Sequence, residues 1–305
     1  MAGDYIHTEP DDVLKVLPER KAEAHKGDYG RLLVVGGGLD YVGAPALVAL
    51  AALRTGVDLA IVAAPEKTAW AINSISPDLI TIKLPGRKFG PSAVPELDKH
   101  LKRATAVVVG PGLGMSSETR KGVIELTKKL AESYPQLPAI FDADGLKVLA
   151  TKRELLRNPN WVVTPHAGEF ELLTGLNLPA ADDQRAKQVR AAAKDLGCVV
   201  LLKTGVDIIS APDGRCALNR TGNPGMTVGG TGDVLAGIVG AFLAQGVEAF
   251  QSAVAGAFLC GYAGDLCLQD MGYEFVASDL IKKLPLALAK IRRSEGITIG
   301  KVQGS

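Results

Sequence analysis

Several common signatures are absent from this 305-residue chain, and each absence narrows the possible functions. The formal net charge is only +1, so there is no excess of positive charge that would favour nucleic-acid binding. The N-terminus has no apolar signal stretch. Every stretch of membrane-spanning length is interrupted by a charged residue, Gly or Pro. The four cysteines form no C-x-x-C pair, which fits a reducing compartment. We therefore expect a cytoplasmic protein with neither a membrane nor a nucleic-acid partner.

Two nucleotide-binding patterns are also missing. No G-x-x-x-x-G-K-[ST] sequence occurs, so a P-loop is excluded. The loop that starts at Gly36 resembles a dinucleotide fingerprint, but Tyr41 stands where the last glycine of G-x-G-x-x-G belongs. This loop is either a simple strand-to-helix turn or a lining of a substrate cleft through Gly43 and Ala44.

Glycine is abundant, with 35 residues, whereas aromatic residues make up 5% of the chain. This balance favours an α/β protein with many tight turns over a β-sandwich. Short apolar runs typical of buried strands alternate with helical patterns. The predicted strands are 31–36, 58–64, 80–84, 106–109, 139–142, 161–164 and 199–203, with a hairpin at 207–218. The predicted helices are 11–17, 44–55, 118–133, 184–196 and most of the chain after residue 230.

This alternation predicts a three-layer αβα fold with a central, mostly parallel sheet. No change in composition marks a boundary, so we expect residues 1–305 to form a single domain. Ligands of such folds bind beyond the carboxyl ends of the strands. The glycine loops and the polar residues that follow the predicted strands should therefore face one crevice.

The glycine-dense stretch 223–233 leads into an apolar helix that should begin near Thr231. The free N–H groups of a first helical turn and the helix dipole favour anions, phosphate above all. One carboxylate, Asp233, stands in this anion-friendly position. It is either a first-turn residue favoured by the dipole or a group with a chemical function.

Glycine or polar residues follow four of the other predicted strands. Asp142 and Asp144, two apart in an extended segment, would point to the same side and share a hydrated cation, unless Asp144 is a helix cap. The glycines of 110–114 either form a turn or allow a ligand to approach the backbone closely. Lys203 ends an apolar strand, from which it reaches either solvent or a phosphate.

The segment Thr164–Phe170 also follows a strand. His166 stands between Pro165 and Gly168, which shape a turn, and either contacts a ligand or is a surface residue. Glu169 either holds magnesium through water or favours a helix N-terminus.

Taken together, these motifs resemble the ADP/ATP-dependent (S)-NAD(P)H-hydrate dehydratases of the ribokinase-like superfamily. The resemblance covers about residues 19–293 and rests on segments 19–30, 110–114, 142–145, 164–170, 202–203 and 229–233. It implies a ribokinase-like fold and repair of nicotinamide cofactors damaged by hydration of the ring. ADP or ATP would be the co-substrate, Mg²⁺ the metal, and a phosphorylated species the intermediate.

The resemblance also assigns residues. It implies that Asp233 is the catalytic base. The hydrated NADH or NADPH would be bound by Ala44, Gly112, His166 and Asp233. The adenine nucleotide would be bound by Lys203, Thr204, Gly205, Val206, Asp207 and Gly232. The anion hole would be formed by Gly229, Gly230, Thr231 and Gly232, and Glu169 would be the metal ligand. One departure is Thr204, which separates a Lys-Gly pair common in the family.

Further expectations follow from the resemblance. Relatives often carry an epimerase domain, which we do not expect within this chain; a separate NAD(P)HX epimerase would act in the same pathway. A homotetramer is expected. Two alternatives share the fold: a kinase of a small vitamin-precursor alcohol, and a non-catalytic nucleotide-binding regulator. The intact Gly-Gly-Thr-Gly-Asp sequence disfavours the regulator, because a sensor has no need of a base.

Overall fold

The computed structural model describes residues 5–293, which contain a ten-stranded sheet. Most strands are apolar runs of three to seven residues. The strands are β1 Ile6–His7, β2 Arg31–Val35, β3 Leu59–Pro65, β4 Ile80–Leu84, β5 Ala106–Val109, β6 Ala139–Phe141, β7 Trp161–Val163, β8 Val199–Leu202, β9 Asp207–Ser210 and β10 Cys216–Asn219. Their spatial order is β1-β10-β9-β8-β7-β6-β5-β2-β3-β4, and only β9 runs antiparallel to its neighbours.

Helices cover both faces of this sheet. They are α1 Pro10–Leu14, α2 Gly43–Thr55, α3 Glu66–Asn73, α4 Asp98–Leu101, α5 Ser117–Ser133, α6 Ala143–Leu149, α7 Ala167–Thr174, α8 Asp182–Leu196, α9 Thr231–Ala244, α10 Ala249–Met271 and α11 Ala277–Arg293. Successive residues of a strand enter different cores: Leu32 and Val34 pack with α2 and α9, whereas Leu33 and Val35 pack with α5 and α6. Because the central strands are buried on both sides, they are continuous apolar runs.

Successive strands are added on one side of β2 up to β4, and from β5 onward they are added on the other side. The loops after β2 and β5 touch: the Gly37 amide donates to the Pro111 carbonyl at 2.8 Å, and a Cβ on Gly36 would lie 2.6 Å from the same oxygen. A crevice opens at such a switch point, beyond the carboxyl ends of the strands.

The predicted strands and the long helices are confirmed, and so is the predicted fold class. Short elements were missed, namely β1, α3, α4, α6 and α7, because they are too short for periodicity to identify. Helix α1 ends at Leu14, three residues before the predicted end. Between residues 5 and 293, no helix is long and apolar enough to cross a membrane.

Candidate active site

The first turn of α9 faces the crevice, and glycine determines how the loop before it packs against the neighbouring helix. Gly230, directly before the helix, has φ 97°, and a Cβ there would lie 2.7 Å from Leu47 of α2. The Thr231 hydroxyl donates to the Met226 carbonyl at 2.8 Å, which closes the preceding loop on itself. The first-turn N–H groups have no partner within the helix, as at any helix start. The position predicted for the anion hole, Gly229–Gly232, is therefore a helix N-terminus held against α2.

Asp233 is partly buried in this first turn. Within residues 5–293, no hydrogen-bond donor contacts its carboxylate. Burial raises the pKa of Asp233 to about 7, the Asp142 and Asp144 carboxylates add to the rise, and Lys203 opposes it. An unpaired carboxylate that exchanges a proton near neutral pH has the property required of a general base.

Lys203 follows β8 and points at the same turn. Its Nζ lies 2.8 Å from Asp142 Oδ1 and 3.3 Å from the position of a Cβ on Gly232. Burial lowers the pKa of Lys203, but the Asp142 carboxylate, with smaller contributions from Glu169 and Asp233, raises it above its usual value. Lys203 is therefore a fixed positive charge beside the anion hole, and the alternative of a chain extended into solvent is wrong.

The two carboxylates after β6 are held apart by different partners. Asp142 Oδ1 accepts from Thr164 Oγ1 at 2.7 Å as well as from Lys203. Asp144 Oδ2 accepts from the Gly114 amide at 2.8 Å, and Oδ1 lies 3.2 Å from Lys147 Nζ.

The expectation of an extended segment at this point is wrong. Ala143 has φ 48°, and α6 begins at this residue, so the two-residue spacing does not place Asp142 and Asp144 on one side of a strand. Asp144 lies inside the first turn and is not the cap of the helix. Each carboxylate already has a cationic partner, which removes the basis for the shared hydrated cation.

His166 and Glu169 form a capping box at the start of α7. His166 Nδ1 accepts from the amides of Gly168 and Glu169 at 3.1 and 3.3 Å, and Glu169 Oε2 accepts from the His166 amide at 3.1 Å. This reciprocal arrangement satisfies free N–H groups of the helix start. The His166 side chain is 56% exposed and that of Glu169 only 5%. The His166 ring is thus largely exposed to solvent, while the Glu169 side chain is buried.

The predicted substrate residues on the other side of the crevice lie together. Gly112 has φ 68°, and a Cβ there would lie 2.9 Å from the Tyr41 carbonyl and 3.4 Å from the Ala44 side chain. Leu47, one turn further along α2, reaches Gly230. Ala44 and Gly112 therefore lie together, and Leu47 of the same helix as Ala44 contacts the predicted anion hole. The exposed Tyr41 ring at this edge was not predicted as a site residue.

The turn Lys203–Asp207 lies between β8 and β9. It is held by Asp207, which accepts from the Thr204 amide at 3.2 Å and from Asn219 Nδ2 at 3.1 Å. Burial raises the pKa of Asp207 to about 6, against the lowering effect of Asn219. Gly205 is exposed at the tip of the turn, and Thr204 bonds back to the Val206 carbonyl at 2.5 Å. Five of the predicted nucleotide residues thus form one compact turn, and the sixth, Gly232, lies on α9 beside Lys203 Nζ.

A cavity of about 560 Å³ beside the anion hole was not predicted. It lies between the turn Pro224–Thr227 and the connection from α10 to α11. Its lining is Pro224, Gly225, Thr227, Val228, Tyr273, Glu274, Phe275 and Val276. Tyr273 is 59% exposed at this cavity. Because the two lining segments are about 50 residues apart, only the folded chain brings them together.

These features form one crevice: a glycine-shaped helix start, a free carboxylate in its first turn and a fixed ammonium beside it. Residues 32–286 of the chain match the family described as NAD(P)H-hydrate dehydratase. The chain belongs to the NAD(P)H-hydrate dehydratase family.

Individual relatives of this family extend the comparison. The chain is 45% identical over 282 residues to a bifunctional NAD(P)H-hydrate repair enzyme of Pyrobaculum aerophilum, which covers 92% of the chain and 55% of that protein. It thus spans about half the length of the bifunctional relatives it matches. An ADP-dependent (S)-NAD(P)H-hydrate dehydratase of Cenarchaeum symbiosum is 37% identical over 293 residues, which are 93% of this chain and 97% of that one.

A solved structure agrees with the fold. The ADP/ATP-dependent NAD(P)H-hydrate dehydratase of Bacillus subtilis, co-crystallised with ATP and Mg²⁺, superimposes with a TM-score of 0.78 at 26% identity. The similarity covers 94% of this chain and 99% of that one. The similarity confirms the predicted fold class and the predicted family.

Proposed function

We propose that the protein repairs nicotinamide cofactors by dehydrating the S form of hydrated NADH or NADPH, with ADP or ATP as phosphoryl donor. The observation that supports this most directly is the Asp233 carboxylate, unpaired within residues 5–293 in the first turn of α9. An anion-binding helix start favours phosphate, and an unpaired carboxylate beside it is placed to remove a proton from an attacking hydroxyl. Family membership supports the identity of that hydroxyl.

In the first step, Asp233 accepts the proton of the ring hydroxyl while its oxygen attacks the terminal phosphorus. The new O–P bond forms as the bond to the leaving nucleotide breaks. Charge builds up on the phosphoryl oxygens, where Lys203 and the N–H groups of Gly229–Gly232 stabilise it. Phosphoryl transfer depends mainly on such positioning and electrostatic stabilisation.

In the second step, the phosphate ester breaks at its C–O bond. The ring nitrogen supplies the electron pair that expels inorganic phosphate, and a proton leaves the adjacent ring carbon. The dihydropyridine is restored. With ADP as donor, the products are NADH, AMP and inorganic phosphate, which accounts for the water removed from the ring.

The two ligands would occupy opposite sides of the anion hole. The hydrated cofactor lies against Ala44, Gly112 and His166. The nucleotide phosphates lie against Lys203–Asp207 and Gly232.

The cavity lined by Tyr273 is adjacent to the anion hole, and its size and aromatic side chain suit a nucleotide base. ADP is the preferred donor in this proposal, in line with the name of the Cenarchaeum symbiosum relative.

Glu169 does not fit a direct magnesium ligand. Its Oε2 accepts from the His166 amide, and its Oε1 lies 3.4 Å from His166 Nε2 and 3.8 Å from Lys147 Nζ. Among residues 5–293 there is no group of three or more potential metal ligands. Magnesium in this proposal accompanies the nucleotide phosphates, with Glu169 in contact only through water.

The setting of the reaction is part of the proposal. Four free, buried cysteines support a reducing compartment such as the cytoplasm. A homotetramer is proposed, and the exposed side chains of Trp70, Ile75 and Ile80 near the edge strand β4 offer apolar surface for assembly. An epimerase activity would supply the S form from its epimer.

The test is to incubate the protein with hydrated NADH, magnesium and either ADP or ATP, and to follow the absorbance of the reduced nicotinamide. Recovery of NADH with either nucleotide is expected, and its absence with both would refute the proposal. Conversion of a vitamin-precursor alcohol to a stable phosphate ester would instead establish the alternative kinase.

A further inference from the structure

The ammonium of Lys203 occupies an electrostatically awkward position. Its Nζ lies 3.3 Å from where a Cβ on Gly232 would stand, in the first turn of α9. The N-terminus of a helix carries partial positive charge, so a cation is disfavoured there. Lys203 needs a counter-charge to remain at this point before a phosphate arrives.

Asp142 supplies that counter-charge. Its carboxylate is 2% exposed and lies 2.8 Å from Lys203 Nζ, while Thr164 Oγ1 donates to the same oxygen at 2.7 Å. Strands β6, β7 and β8 are neighbours in the sheet, so the residues that follow them converge at one edge. Asp142, Thr164 and Lys203 follow these three strands in turn.

The backbone around Asp142 is constrained. Ala143 has φ 48° and is the one non-glycine residue with positive φ in the described part of the chain. A Cβ on Gly110 would lie 1.9 Å from the Asp142 carbonyl, and one on Gly145 would lie 2.5 Å from the Val109 carbonyl. Strained backbone persists where the surrounding structure over-determines it, commonly at functional sites. The turn is therefore shaped to hold Asp142 in one place.

We propose that Asp142 is a positioning residue. Its buried carboxylate holds the Lys203 ammonium at the first turn of α9, so that Lys203 and the N–H groups of that turn both contact the phosphoryl group. Asp142 does this without touching either substrate, because its side chain is only 3% exposed and its Oδ1 already accepts from Thr164 and Lys203. The proposal rests on the proposed function for the identity of the phosphoryl donor. It predicts that Asp142 acts mainly through Lys203, and that only the smaller effect of its charge on Asp233 remains when Lys203 is removed.

Asp144 provides a matched control for this proposal. It carries the same charge two residues away and, like Asp142, contributes to the field at Asp233. Its partners are the Gly114 amide and Lys147, and it does not contact Lys203. Asp142→Asn and Asp144→Asn therefore remove the same charge, but only the first disturbs Lys203.

The experiment is a double-mutant cycle with Lys203→Met. Asp142→Asn is expected to lower kcat with ADP by about 10- to 100-fold, the scale of a lost charge-assisted hydrogen bond, with less than about 2-fold change in KM for hydrated NADH. In the Lys203→Met background, the same substitution should cost less than about 3-fold. Asp144→Asn should change kcat by the same factor in the Lys203→Met background as in the wild type. An undiminished effect of Asp142→Asn without Lys203 would overturn the proposal.

Thr164→Val is a second, milder variant. It removes the donor to Asp142 and should cost about 3- to 10-fold, again only when Lys203 is present. Circular dichroism and the melting temperature would verify that each variant is folded. If Thr164→Val lowered kcat equally with and without Lys203, that result would also contradict the proposal.

Binding of ADP by calorimetry separates this inference from the proposed reaction. Weakening of ADP binding by Asp142→Asn that disappears in Lys203→Met supports the positioning role, even if the wild-type protein fails to dehydrate hydrated NADH. Equal weakening with and without Lys203 would refute the positioning role, even if the dehydratase activity is present.

Discussion

At Asp233, two opposing influences act on one carboxylate. The helix start favours its negative charge, whereas burial and the neighbouring Asp142 carboxylate disfavour it and raise its pKa to about 7. The absence of a donor to this carboxylate within residues 5–293 leaves it available to a substrate hydroxyl. In the proposed reaction, this residue is the base that starts phosphoryl transfer.

Replacement of Asp233 by Asn should lower turnover by at least about 100-fold, the usual scale for a general base, while ADP binding persists. The amide has nearly the same shape but cannot accept the proton. Turnover of hydrated NADH and calorimetric titration with ADP would measure the two effects. Near-normal turnover would remove Asp233 from the mechanism.

The same substitution should also stabilise the fold above neutral pH. Because the folded-state pKa of Asp233 is raised, the folded protein holds this proton more tightly, and stability falls as the pH rises from about 4 to 7. Asp233→Asn removes this cost, so its free energy of unfolding at pH 8 should exceed that of the wild type by at least about 1 kcal/mol.

Denaturant unfolding at pH 8 and pH 5 tests this expectation. The difference should shrink at pH 5, where Asp233 in the folded protein is already protonated. An equal difference at both values of pH would show that the effect has another cause.

At the scale of elements, the site depends on loops that pack backbone against backbone. Gly110 after β5 meets the carbonyl of Asp142 after β6, and Gly112 meets Tyr41 in the loop before α2. Side chains at these positions would separate the strand ends. The glycines therefore determine how closely the groups on different strands approach.

Gly110→Ala should destabilise the protein by about 3 kcal/mol or more and lower turnover, because its Cβ would lie 1.9 Å from the Asp142 carbonyl. Gly114→Ala is the control, since Gly114 also has positive φ (77°) but no atom lies within 4 Å of the added Cβ. That variant should lose only about 1–2 kcal/mol. Thermal unfolding of both variants measures the difference, and equal losses would exclude the backbone contact as the cause.

The elements themselves were largely predictable from the sequence. The apolar runs identified the central strands because both faces of a parallel sheet are buried. The helix α9 was predicted to begin near Thr231, and it begins at that residue. Helices α6 and α7 were missed because they are seven and eight residues long and begin directly after strands. The missed helix α6 is also why Asp142 and Asp144 were wrongly placed on one side of an extended segment.

At the scale of the whole molecule, one continuous sheet connects both sides of the crevice. Ala44 lies on α2 after β2, and Lys203 follows β8, four strands away from β2 in the sheet. A ligand between them therefore contacts residues from both halves of the sheet.

Saturating ADP should stabilise the folded protein as a whole, by about 2.7 kcal/mol at a hundred times its Kd. Differential scanning fluorimetry with increasing ADP would measure the rise in melting temperature. Lys203→Met should reduce this rise, and Asp233→Asn should retain it. A melting temperature that neither ADP nor ATP changes would contradict nucleotide binding at this site.

Because the described chain has one sheet, we predict that it unfolds as a single domain. Calorimetry of the ligand-free protein should give one cooperative transition with equal calorimetric and van't Hoff enthalpies per cooperative unit. Two separable transitions would show that the two sides of the switch point are independent units.

The sequence by itself determined the fold class, the family and the candidate groups. Local patterns suffice for these, since strand hydrophobicity, glycine loops and the Thr231–Gly232–Asp233 helix start are all written in short segments. The sequence also indicated that the polar residues at strand ends share a crevice, because parallel strands end at one edge of a sheet.

Only the tertiary structure decided how those groups are paired. Asp142 and Lys203 are 61 residues apart, and their contact depends on the order of β6, β7 and β8 in the sheet. The pKa of Asp233 likewise depends on burial and on charges carried by other strands. Pairing and electrostatics act through space, so local sequence patterns identify the participants but not the distances between them.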